Sequence, residues 1–140
     1  ELELMKVAKS QNEEIKGLET IEDQLEVFDI IPYEDQIKDL LEIAKDNLAS
    51  EKEKIKSLTE VYNNQDISRL FQIMTQADGK TPQHMDILLD NRNKKWISNI
   101  EDFAKKQPTF FGVGAAHLPG ENGVIKLLRK AGFTVTAVKQ

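Results

Sequence analysis

The C-terminal stretch, residues 109–138, constrains the fold more than any other part of the chain. Thr109-Phe110-Phe111-Gly112-Val113 is short, apolar and rich in strand formers, and residues 133–138 are β-branched in pattern. Between them lie a glycine-rich loop, residues 114–120, and a helical pattern carrying Val124, Ile125, Leu127, Leu128 and Ala131. Gly132 suits the C′ position of that helix. Strand, loop, helix and strand in that order make a βαβ-like unit, which favours parallel pairing and a right-handed crossover. A further short strand is expected over residues 14–19, where Ile15 and Leu18 are apolar.

The rest reads as helix. Leu2, Met5 and Ala8 recur at helical spacing, and Ile30-Ile31-Pro32 is a break. Ile37, Leu40, Leu41, Ala44 and Leu48 share one helix face. Ser50, with Glu53 three residues on, is the expected N-cap of a helix carrying Ile55, Leu58 and Tyr62. Asp66 is expected to cap the next, with Ile67, Leu70, Phe71 and Met74 inward. Asp78-Gly79-Lys80 reads as a turn and Thr81-Pro82 as a helix start, with Met85, Leu88 and Leu89 on the inner face. Trp96, Ile97, Ile100, Phe103 and Ala104 mark a separate helix closed by Pro108. The expectation is an α/β chain dominated by helix, with a small mixed or parallel sheet, a helical insertion over residues 33–106 and the C-terminal strand–loop–helix–strand unit.

Composition limits the function. The 140 residues form one ordinary domain, 39% apolar and 31% charged. Nineteen Lys and Arg against 24 Asp and Glu give a net charge of −5, a poor match for nucleic acid or an anionic membrane. The absence of Cys excludes disulfides, thiolate catalysis and Cys-ligated metal. The chain opens on Glu1-Leu2-Glu3-Leu4-Met5, already inside a helical pattern, and reads as a fragment whose start lies upstream. Asn47 to Tyr62, charge-rich over Ser50 to Lys56, reads as a solvated helix rather than a docking helix. Met74, Met85 and Phe71 read as core rather than as a haem box.

His117 sits in the loop Val113-Gly114-Ala115-Ala116-His117-Leu118-Pro119-Gly120, past a predicted strand and before a helix. Ligand sites in open α/β sheets gather at that edge. A histidine there can be a metal ligand, a general base or a hydrogen-bond donor; it can equally cap the helix.

Four motifs in order resemble the TraB/GumN family. The run from Val113 to Gly120, continuing Glu121-Asn122-Gly123-Val124-Ile125, is similar to its C-terminal signature. Gly17-Leu18-Glu19-Thr20 with Glu22-Asp23-Gln24 resembles its first acidic motif. Gln36 with Leu40-Leu41 sits where the family has a glutamine-bearing helix, and Leu88-Leu89-Asp90-Asn91-Arg92-Asn93-Lys94-Lys95-Trp96 resembles its Arg-Asn motif. The family is related to Tiki-type proteases, ChaN-like haem-binding proteins and erythromycin esterases.

The resemblance implies a metal-dependent or general-base hydrolase, peptidase-like, acting on a peptide or small molecule, with catalytic residues His117, Glu19, Arg92 and Asn93. His117 and Glu19 would be the metal ligands, for Mn²⁺, Co²⁺ or Zn²⁺. Arg92 would pair with Glu19 or hold a substrate carboxylate or oxyanion. The residues themselves leave other roles open: a cap through Thr20 for Glu19, an ion pair with Asp90 for Arg92, and an N-cap for Asn93. Gly114-Ala115-Ala116-His117 matches the second of the family's two Gly-x-x-His motifs; the first would precede residue 1. His84 follows Thr81-Pro82-Gln83 and does not replace it, so its side chain is expected in solvent. The chain is therefore expected to be one incomplete domain, inactive and without bound metal as it stands, and to dimerize through exposed strand edges. The resemblance further implies a cell-envelope lipoprotein whose lipid anchor lies outside this chain. The rival reading is a non-catalytic, surface-anchored protein that binds a ligand or partner.

Overall fold

The structure, a computed structural model, describes residues 1–45, 48–76 and 84–138. Its α-helices are α1 (Leu2–Ser10), α2 (Ile21–Ile30), α3 (Tyr33–Lys45), α4 (Ala49–Asn63), α5 (Ile67–Gln76), α6 (Asn91–Lys106) and α7 (Val124–Lys130). A π-helical turn, Asp86–Asp90, runs directly into α6, and a 3₁₀ turn, Ala115–His117, precedes α7.

No strand occurs among the described residues, which overturns the expected α/β fold. Strand propensity expresses how a side chain fits a pleated surface built by neighbours, and residues 14–19, 109–113 and 133–138 have no neighbouring strand to fit. Phe110 and Val138 stay 78% and 90% exposed. Phe111 and Val113 instead turn against the core. The backbone of the last segment is held by Arg129, whose Nη2 donates to the Val135 carbonyl at 2.7 Å. The strand edges from which dimerization was expected are likewise not among the described residues.

Several helix signals act as read. Asp66 Oδ1 accepts from the Arg69 N–H at 2.9 Å, a cap that contributes about 1 kcal/mol. Gly132 takes φ +94°, its N–H donating to Arg129 O and that of Phe133 to Leu128 O. That pair of bonds is a Schellman C-cap. Pro32 precedes α3, and α6 ends ahead of Pro108. Other boundaries differ. Helix α4 starts at Ala49, after Leu48 in a left-handed conformation, so Ser50 is inside the helix rather than at its N-cap. The two helices expected around Leu88 and Trp96 are continuous, which places Asn93 in a helix interior. The turn at Asp78-Gly79-Lys80 and the start at Thr81-Pro82 lie outside the described residues.

The core is small. Trp96, Ile100 and Val124 are buried together, with Leu18, Phe111, Val113 and Leu128 packed on them. Each such apolar side chain contributes roughly 1.5–3 kcal/mol when fully buried. Helix α6 thus supplies the centre, and the loop before α7 and the residues before α2 close on it. His84 corrects the expectation of a solvent-exposed side chain. It has φ +63°, it is part-buried, and its Nε2 lies 3.1 Å from Asp35 Oδ2, tying α3 to the start of the π turn.

Candidate functional site

Three residues of α6 organise the site. Arg92 and Trp96 are four apart and therefore share a helix face, while Asn93 is turned by one position toward the 3₁₀ turn. Glu19 is brought to this face from the chain before α2. Two devices fix its backbone, one long-range and one local. Asn99 Nδ2 donates to the Leu18 carbonyl at 2.9 Å. Thr20 and Asp23 form a reciprocal capping box at the start of α2.

The Glu19 carboxylate accepts three N–H groups. Arg92 Nη2 donates to Oε1 at 2.5 Å and Nε to Oε2 at 3.1 Å, a bidentate fork. Trp96 Nε1 donates to Oε2 at 3.0 Å. Burial pushes the Glu19 pKa up, but hydrogen bonds from Arg92 and Trp96 and the Arg92 charge outweigh it and hold the carboxyl below its usual value. Arg92 is fixed in turn. Its Nη1 donates to the Leu88 carbonyl, inside the π turn, at 3.0 Å, and its guanidinium carbon lies 5.2 Å from the Trp96 ring centroid.

On the other side of Trp96 lies His117, its ring centroid 4.5 Å from that of the indole. His117 and Asn93 are 8% and 2% exposed. Asn93 Nδ2 donates to the Asn122 carbonyl at 2.8 Å and to the His117 carbonyl at 3.3 Å. Its Oδ1 therefore faces His117 Nδ1, 2.7 Å away, and an amide oxygen only accepts. The proton must sit on Nδ1, which leaves a lone pair on Nε2. No group among the described residues bonds Nε2. Burial, reinforced by the Arg92 charge and opposed by Glu19, lowers the His117 pKa to about 4, so the imidazole is neutral at pH 7. Asn122 also donates from Nδ2 to Asp90 Oδ2 at 2.8 Å, which locks the turn before α7 to the end of the π turn.

All four residues proposed from sequence meet here. Glu19 and Arg92 form one pair, Asn93 and His117 the other, and Trp96 touches both. Of the alternatives left open, Thr20 caps α2 with Asp23, Arg92 pairs with Glu19, and Asn93 is not an N-cap. Sequence reasoning missed Trp96 as a polar contact, along with Asn99, Asn122 and Asp90. The four-residue spacing of Arg92 and Trp96 was the available signal for the first. The other three act over long sequence separations and leave none.

As a cation site the donor set is poor. Among the described residues no group of three or more His, Cys, Asp or Glu side chains is placed to hold a metal ion. Catalytic zinc usually takes three protein ligands. His117 Nε2 suits a ligand, because the opposite ring nitrogen is already oriented by a hydrogen bond. Glu19 is Arg92's anion, and metal coordination by it would require that fork to open. An open cavity of about 440 Å³ lies against Glu19 and Arg92, lined also by the apolar Val27, Ile30 and Ile87 and by Lys94 and Lys95. His117 does not line it.

No curated protein and no solved structure matches the chain. The TraB/PrgY/gumN family model matches residues 1–137, nearly the whole length and every residue of this polar cluster. The chain therefore belongs to the TraB/PrgY/gumN family.

Proposed function

We propose that this chain carries part of a peptidase-like hydrolytic site, with His117 as the group at its chemical centre. The observation that carries the reading is the Asn93–His117 contact, which fixes the tautomer of a buried imidazole that burial and the Arg92 charge keep neutral. A neutral Nε2 at pH 7 suits metal ligation because no proton competes for it. A pKa near 4 makes it a weak general base. A divalent cation, Mn²⁺, Co²⁺ or Zn²⁺, would supply Lewis-acid activation of water and carbonyl. Its donors other than His117 would come from beyond the described residues. Arg92 holds Glu19 in place beside the cavity, and a substrate carboxylate or oxyanion there would compete with Glu19 for the same fork.

The test uses the longest natural form of the protein. A mixed peptide library is incubated with Mn²⁺, Co²⁺ or Zn²⁺, or with a chelator, and products are read by mass spectrometry. Metal-dependent cleavage that disappears in His117→Ala is expected. The absence of cleavage with every metal would overturn the hydrolase reading.

One observation favours the rival, a binding protein without chemistry. The cavity opens on Glu19 and Arg92 but not on His117. Ligand binding abolished by Arg92→Ala yet unchanged in His117→Ala would select it. A cell-envelope lipoprotein, anchored through a lipid outside this chain, is carried over with either reading. Among the described residues no helix is long and apolar enough to cross a membrane.

A further inference from the structure

Helix α3 buries no residue. Its apolar face, Ile37, Leu40 and Leu41, is exposed, as are Leu48 and, on α2, Phe28 and Ile30. Gln36 fixes the angle between the two helices by donating from Nε2 to the Phe28 and Ile31 carbonyls, at 3.3 and 2.9 Å. The surface is therefore an ordered one, built on two helices tied together at their junction.

Exposed apolar side chains gathered on one helix face mark association surfaces.

The charge pattern selects the partner. Glu34 in the first turn of α3 and Lys45 in the last are eleven residues apart, three helical turns, so they lie on one flank of the apolar face. A two-fold axis perpendicular to two antiparallel helices brings like flanks together with their ends reversed. Glu34 of each copy then lies near Lys45 of the other, and the helix dipoles oppose favourably. A parallel two-fold pair would instead set this flank against the opposite flank of the partner helix and would leave Glu34 and Lys45 apart. Lys45 contacts Glu42 of its own helix at 2.5 Å, but both side chains are well exposed, and such a pair is easily exchanged.

We infer that the α2–α3 surface is an isologous dimer interface, two copies of α3 packing antiparallel through Ile37, Leu40 and Leu41 with reciprocal Glu34–Lys45 pairs at the rim. The mass of the chain is measured by sedimentation velocity from low to high micromolar concentration. A reversible dimer is expected. Leu40→Glu with Leu41→Glu should leave a monomer of unchanged helical circular dichroism. Lys45→Glu should weaken the dimer about fivefold, two exposed pairs being lost together, and adding Glu34→Lys to the same chain should restore it. A wild-type chain monomeric throughout the range would overturn the inference, meaning that something other than a second copy covers the face. A dimer indifferent to the leucine changes, or a Lys45→Glu loss that Glu34→Lys does not repair, would overturn it as well.

Discussion

Asn93 Oδ1 stands 2.7 Å from His117 Nδ1, and the amide is oriented by two carbonyls that only its nitrogen can serve. A buried asparagine thus decides which imidazole nitrogen carries the proton, while burial and the Arg92 charge keep the ring uncharged. Stability should follow. Folded His117 titrates near 4 against an ordinary 6.5, so between those values the unfolded chain holds the extra proton. Stability contributed by the neutral ring is complete above about pH 6.5 and is lost as pH falls toward 4, by on the order of 2–3 kcal/mol. Urea unfolding midpoints from pH 7 to 4.5 check this. His117→Gln should flatten the slope over that range.

Arg92 and Glu19 form a partly buried pair whose members depend on each other. Arg92→Ala leaves a carboxylate with only the neutral side chains of Trp96 and Gln24 and should destabilise the fold by about 2–3 kcal/mol. Glu19→Gln keeps the volume and a hydrogen-bonding oxygen but strands the guanidinium. The double variant should be less destabilised than the sum of the single changes, a coupling of about 1–2 kcal/mol. Denaturant unfolding of the four proteins closes that cycle; strict additivity would mean that the pair is not energetically joined. Because Glu19 has a lowered pKa when folded, its contribution is present above its ordinary value of 4.5 and is lost as pH falls through the folded value.

Gly120 and Gly132 offer a comparison within one chain. Both have positive φ, +91° and +94°. A Cβ at Gly132 would meet nothing within 4 Å, whereas at Gly120 it would fall 2.7 Å from the Phe71 ring. Gly132→Ala should cost about 1 kcal/mol, the backbone strain alone. Gly120→Ala should cost about 1–3 kcal/mol more, because α5 must also move. Thermal melting of the two variants checks the order, and Phe71→Leu should recover part of the Gly120→Ala loss.

Helical periodicity and caps were legible because they are local. Ile67, Leu70 and Phe71 set the face of α5, Asp66 capped it, and Gly132 closed α7 as its position suggested. The strand reading of residues 109–113 and 133–138 failed because a sheet is a pairing between distant segments, and β-branched residues state a preference without supplying a neighbour. The polar cluster was legible only through its motifs: nothing in the spacing of Glu19, Arg92, Asn93 and His117 announces that they meet. Asn122 and Asn99 act through long-range backbone contacts and stayed hidden.

The π turn over Asp86–Asp90 sets a rule about length. Its wide bond, from the Asn91 N–H to the Asp86 carbonyl, accommodates one residue more than an α-helical turn would. Removing one residue there would leave an ordinary α-helical turn with the helix on either side still in register, because the wide turn is what absorbs the extra residue. The loss would be local: the carbonyls of the turn, that of Leu88 among them, would shift from the position that Arg92 Nη1 now reaches. An insertion within α6, with no such turn to absorb it, would instead rotate the residues on its two sides by about 100° against each other: the turn is the place in this helix where length has already been adjusted.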